Sequence, residues 1–181
     1  MRTRSSRHSR RATALVGLTA GAILGLVGLH SVPAQADKAC FSHPKTKPQL
    51  KLHLKTVCHD SDASAVTYTI EAHEAFQDRD VDLRWGIDKN SDQKYDLFVS
   101  VQFDGALTAT VEDANESEVG HATVTRTAPN ALRVSYSRQF LGGASSYEYN
   151  VRAVTDLNGD GEVEPGEEDV APESGFYQHR L

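Results

Sequence analysis

The chain has 181 residues, 39% of them hydrophobic, with 19 Lys and Arg against 25 Asp and Glu and a formal net charge of −6. That balance argues against a nucleic-acid partner, because phosphate binding needs a basic face. The length suits one domain with a sizeable core behind a leader segment.

Residues 1–11 hold Arg2, Arg4, Arg7, Arg10 and Arg11 and no acid. An apolar run from Ala12 to Leu29 follows, then Pro33 and the small-residue step Ala34-Gln35-Ala36. A basic start, an apolar middle and an A-x-A step are the marks of a secretory signal peptide. The expected domains are therefore a cleaved signal peptide, 1–36, and a single secreted domain, 37–181. An uncleaved membrane anchor is the alternative, since the apolar run is about as long as a short spanning helix. Without the five leader arginines, 14 basic residues face 25 acidic ones, a net of −11. Both cysteines, Cys40 and Cys58, lie in the exported part, where an even count reads as one disulfide. Two free buried thiols are the alternative.

Along the exported part the dominant pattern has a period of two. Residues 37–48 are polar, with Pro44 and Pro48, and read as an extended lead-in. Leu50, Leu52 and Leu54 alternate with polar residues and predict a first strand. Val66, Tyr68 and Ile70 predict a second, and Val81, Leu83, Trp85 and Ile87 a third, with Trp85 in the core. Tyr95, Leu97, Val99, Val101 and Phe103 form the clearest strand. Asp104-Gly105 then turns the chain, a strong hairpin signal, into Leu107, Ala109 and Val111. An acidic loop over 112–118 precedes a weaker sixth strand through His121 and Val124. Pro129-Asn130 turns into Leu132, Val134 and Tyr136. Leu141-Gly142-Gly143 breaks the pattern before an eighth strand over 147–154, for which a helix through Tyr147, Val151 and Val154 is the alternative. About eight short strands with regular turn signals predict an all-β, antiparallel, jelly-roll-like β-sandwich.

The strongest motif follows that last strand. Residues 156–167 fit D-x-[DN]-x-[DN]-G-x₅-E, the calcium loop of an EF-hand. Ca²⁺ takes several oxygen ligands, and this spacing supplies them. Asp156, Asn158 and Asp160 stand at positions 1, 3 and 5. Gly161 allows the sharp turn, Glu162 offers its carbonyl, Glu164 stands at position 9, and Glu167 closes the site with both oxygens. The strand before the loop and Pro172 soon after it depart from the helix–loop–helix of an EF-hand. An exiting helix would last about one turn. Asp88, Asn90, Asp92, Lys94 and Asp96 form a second candidate metal loop, lacking the turn glycine and the closing glutamate. An aspartate-rich solvated turn explains it almost as well.

The exported chain also resembles secreted bacterial sandwiches of the DOMON-like and family-nine carbohydrate-binding-module kinds. The residues that carry the likeness are Ile87-Asp88-Lys-Asn90-Ser-Asp92-Gln-Lys-Tyr-Asp96 and Leu141-Gly142-Gly143-Ala-Ser-Ser-Tyr147. The resemblance implies a sandwich, a structural metal and a ligand-binding face, and no reaction. His73-Glu74 begins an H-E-x-x-H zinc motif, but Gln77 stands where the second histidine belongs. The histidines of the exported part, at 43, 53, 59, 73, 121 and 179, show no metal spacing, although His43, His53 and His59 flank the expected disulfide. No nucleophile elbow is present. The expected function is a secreted, calcium-binding, non-catalytic β-sandwich module, calcium being its cofactor. The alternatives are a module that binds extracellular carbohydrate or a surface ligand, and a calcium-dependent hydrolase whose acids meet only in three dimensions.

Overall fold

The computed structural model describes residues 37–45, 50, 52–75, 81–103, 105–155, 163–164 and 166–181. The leader expected over 1–36 lies outside them, as do Asp156, Asn158, Asp160 and Glu162. In chain order the strands are β1 (Ala39–Ser42), β2 (Leu54–Ser61), β3 (Ala65–Ala72), β4 (Asp82–Asp88), β5 (Leu97–Phe103) and β6 (Leu107–Asp113). Then come β7 (Glu118–His121), β8 (Thr123–Ala128), β9 (Ala131–Ser137), β10 (Ser146–Val154), β11 (Glu168–Ala171) and β12 (Tyr177–Arg180). They form two antiparallel sheets, β1-β2-β3-β9-β8 and β11-β10-β4-β5-β6-β7. β12 joins the second sheet beside β11, on the same edge of β10.

The all-β sandwich read from the alternation is the observed fold. Val66, Tyr68, Ile70 and Ala72 of β3 point inward, as do Leu83, Trp85 and Ile87 of β4 and Tyr147, Tyr149, Val151 and Ala153 of β10. Trp85 sits opposite Val99 on one side and Val151 on the other. Its ring stacks on Tyr68 of the facing sheet, with centroids 5.3 Å apart and planes 16° from parallel. Such a pair adds about 0.5–1.5 kcal/mol beyond the area it buries. The Asp104-Gly105 signal marks a real hairpin: Phe103 pairs with Leu107, and Gly105 takes φ 71°, where a glycine is least strained. At 138–141 the chain makes one 3₁₀ turn, ended by Gly142 at φ 62°.

The structure differs from the sequence reading in five elements. The lead-in contains β1. The first strand begins where the leucine alternation ends: Leu50 and Leu52 are buried but precede β2, and β2 continues through His59. The weak sixth strand is two strands, β7 and β8, because the chain passes from one sheet to the other at Ala122. The brief helix expected after residue 167 is β11, paired with Val151–Val154. β12 has no counterpart in the reading. β2, β11 and β12 escaped a hydrophobic-period reading for one reason: their inward positions include His59, Asp169 and His179, all fully or almost fully buried.

Cys40 and Cys58 are directly paired across β1 and β2 with Cα atoms 4.0 Å apart, and they form a disulfide. The bridge pins an edge strand of only four residues. Replacing both cysteines by serine is expected to lower unfolding free energy by about 2–4 kcal/mol, read from denaturant melts. An unchanged midpoint would show that β1 is held by its backbone ladder alone.

Candidate metal centres and a ligand face

The loop between β10 and β11 is closed at its base. Thr155 donates its N–H to the carbonyl of Glu167 at 2.8 Å, directly beyond the Val154–Glu168 pair. Glu164 and Glu167 then form a turn of their own: the Glu167 N–H reaches the Glu164 carbonyl at 3.1 Å, and the Glu164 N–H reaches Oε2 of Glu167 at 2.8 Å. Glu167 is almost fully buried. Val163, immediately before Glu164, is 52% exposed. The twelve-residue motif is thus a β-hairpin connection, and its flanks are strands.

The second candidate loop follows β4. Asp88 is fully buried. Its Oδ1 accepts from the N–H groups of Asn90 (3.1 Å) and Asp92 (3.4 Å), and its Oδ2 accepts from Gln93 (2.7 Å). Asn90 Oδ1 takes the Asp92 N–H, Asp92 Oδ1 takes the Lys94 N–H, and Asp96 Oδ2 takes the Lys89 N–H at 2.7 Å. Ser91 and Gln93 have positive φ, 59° and 67°. Gln93 is the position where an EF-hand has glycine, and it adopts the left-handed backbone without one. The loop therefore holds its shape through carboxylates turned onto its own amides.

The acids and histidines that do gather are others. Asp37, ahead of β1, His59 on β2 and His179 on β12 bring one ligand atom each within 4.8 Å of one another. His59 Nε2 and His179 Nε2 both lie 3.4 Å from Asp37 Oδ1. The two imidazoles stack 4.0 Å apart and 5° from parallel. His59 Nδ1 is 3.0 Å from the Tyr149 hydroxyl, and His179 Nδ1 is 2.8 Å from the Tyr147 hydroxyl. The Tyr68 hydroxyl donates to Tyr147 at 2.8 Å. Burial holds the Tyr68 and Tyr147 hydroxyls well above the usual phenol range and moves Tyr136 up to about 12, so these phenols stay protonated.

A second buried group surrounds Asp169 of β11. Its Oδ1 is 3.0 Å from His43 Nε2, and its Oδ2 takes the Leu54 N–H at 2.8 Å and lies 3.5 Å from His53 Nε2. His73, at the end of β3, reaches the His43 carbonyl at 3.2 Å. Of the three histidines flanking the disulfide in sequence, His43 and His53 meet here with His73. His59 belongs to the other cluster. Asp37 and His179 carried no motif. The available signal was positional: His59 stands two residues after Val57, on the inward side of a strand.

The outer face of the second sheet carries a recess of about 190 Å³ lined by Arg84, Gly86, Tyr95, Phe98, Glu116, Asn150 and Arg152. Gly86 faces out between Phe98 and Asn150, and the Tyr95 ring packs so closely over it that a Cβ there would clash. The Arg84 guanidinium sits 3.8 Å from the Phe98 ring centre and within 3.1–3.2 Å of Glu116 and Glu112. Tyr95 also meets Phe98 and Phe176 edge-on or tilted at 5.3 and 6.0 Å.

Comparison of the chain with protein-family models, curated proteins and solved structures finds no match.

The stacked histidines generate a pH dependence. Burial and the adjacent His59 push the His179 pKa down to about 4, against the opposing pull of Asp37 and Asp60. Burial likewise lowers His59, against Asp37 and Asp60. In the unfolded chain both titrate near about pH 6.5. The unfolded state then binds more protons below that point, so this stability is complete above about pH 6.5 and is lost as pH falls toward about 4. For His179 alone the loss approaches about 3 kcal/mol. Urea unfolding in chelator-treated buffer is expected to show stability falling from pH 6.5 to 5, above the carboxylate range. His179→Gln is expected to flatten that slope, and parallel slopes in the two proteins would contradict the assignment.

Proposed function

We propose that the protein is a secreted, non-catalytic β-sandwich module that binds Ca²⁺ in the β10–β11 loop through Asp156, Asn158, Asp160, the carbonyl of Glu162, Glu164 and Glu167. The observation that carries this reading is the closed base of the loop. An ion held by the first and twelfth positions of a loop requires its two ends to be neighbours, and Thr155, the residue before the first position, is hydrogen-bonded to Glu167, the twelfth. The sequence supplies oxygens at the spacing Ca²⁺ needs, and Glu167 stands at the closing position, anchored beside β11. The ion would offset repulsion among four carboxylates and fix the loop against the sandwich.

Extracellular calcium modules bind with Kd of about 10⁻⁴–10⁻³ M. At millimolar Ca²⁺ the expected stabilisation is about 0.4–1.4 kcal/mol per site, or about 1–5 °C in Tm for a domain of this size. Thermal melts with a calcium-selective chelator and with millimolar Ca²⁺ are expected to differ by that amount. Glu167→Gln is expected to abolish most of the difference. Equal melting points, with no heat of binding, would refute calcium. A titration with two equivalents rather than one would place a second ion at Asp88, Asn90, Asp92, Lys94 and Asp96.

The outer-face recess supports a second reading, a carbohydrate- or surface-ligand module. Aromatic rings beside arginine, glutamate and asparagine are the groups that stack on and hydrogen-bond a sugar ring. Calorimetry with glucose, galactose and N-acetylglucosamine is expected to show binding of at least one, weakened tenfold or more by Phe98→Ala. No heat with any of the three would count against a simple-sugar ligand.

A further inference from the structure

We propose that Asp37, His59 and His179 form a site for one divalent transition-metal ion of the imidazole-preferring class, zinc foremost, which ties β2 of one sheet to β12 of the other. The donor set decides the class of ion. Two imidazole nitrogens and one carboxylate suit Zn²⁺ and its neighbours, whereas Ca²⁺ takes oxygens throughout. This site is therefore separate from the β10–β11 loop in both place and chemistry.

Three observations converge on it. The three ligand atoms lie within 4.8 Å of one another. His59 is fully buried, and its Nε2, which faces Asp37 Oδ1 at 3.4 Å, makes no hydrogen bond among the described residues. A buried nitrogen left in that state is destabilising, and an ion on its lone pair removes the cost. Both imidazoles have their other nitrogen against a tyrosine hydroxyl, Tyr149 for His59 and Tyr147 for His179. With Nδ1–H donating to that hydroxyl oxygen, Nε2 is left free to ligate, the usual outer-shell arrangement of metal-bound histidine.

The two rings are nearly parallel, 4.0 Å apart and 5° between planes. Ser61 Oγ lies 3.1 Å from His179 Nε2. Taking up the ion requires the rings to splay until both nitrogens point at one centre about 2.0–2.1 Å away, and the Ser61 hydroxyl to turn aside. The Asp37 side chain is 40% exposed, which opens the site to the ion and leaves room for water as a fourth ligand. In the Asp169 cluster, by contrast, His43 and the Leu54 amide already occupy the carboxylate.

The test is calorimetry and equilibrium dialysis of the purified, chelator-stripped protein with ZnSO₄. One equivalent is expected to bind at micromolar concentration and to remain bound in millimolar Ca²⁺. Asp37→Asn, at a half-exposed position outside the core, is expected to weaken binding at least tenfold, and Tyr149→Phe by about 10–100-fold. His59→Gln is expected to abolish it. Glu167→Gln is expected to leave zinc binding unchanged, so failure of the calcium reading and failure of this one are distinguishable. Should His59→Gln fail to fold, Asp37→Asn decides alone. No bound zinc, or equal affinity in wild type and Asp37→Asn, would overturn the proposal.

Discussion

The Tyr68 hydroxyl crosses the gap between the sheets to reach that of Tyr147, and this contact sets a constraint on the whole interior. A polar atom placed at the centre of a sandwich must be partnered, and each partner is itself buried and in need of another. The chain of hydroxyls and imidazoles runs from Tyr68 through Tyr147 to His179, stacks on His59, and ends near Asp37, where solvent begins. An apolar core would have needed no such exit. This one brings β12 and the segment before β1 together, and Asp37 N–H bonds Arg180 at 3.2 Å beside it. The placing of β12 and of the segment before β1 follows the polarity of the sandwich's middle.

Alternation in sequence is legible only where the inward residues are apolar. β3, β4, β5, β9 and β10 could be read because valine, leucine, isoleucine, tyrosine and tryptophan mark their buried faces. β2 was misplaced and β11 and β12 were missed because histidine and aspartate occupy that face, and polarity at every second position reads as loop. β7 and β8 were read as one because neither sheet change nor a single hinge residue leaves a compositional trace. The disulfide was legible for a different reason: a chain with two cysteines admits one internal pairing.

The sites divide along the same line. A loop motif is local, so the ligands of residues 156–167 stand in the sequence at fixed spacing whatever the surrounding fold. The Asp37–His59–His179 group is assembled by topology from three places up to 142 positions apart, and no spacing rule reaches it. Asp88 shows the reverse case. Its loop has the look of a metal motif, yet its carboxylate is occupied by three backbone amides, which are themselves a sufficient reason for the residue.

β10 is a nine-residue strand whose outer edge is covered in two pieces, β11 over Val151–Val154 and β12 over Ser146–Tyr149. Two four-residue strands in tandem protect as much backbone as one long strand, but neither offers an incoming chain enough continuous ladder to pair with. β1 and β7, at other borders of the sheets, are also four residues long. A patchwork border of this kind resists edge-to-edge aggregation without relying on charge. It also gives each half of the β10 border its own polar tie to the facing sheet: β11 through Asp169, on His43 and the Leu54 amide, and β12 through His179, on Ser61.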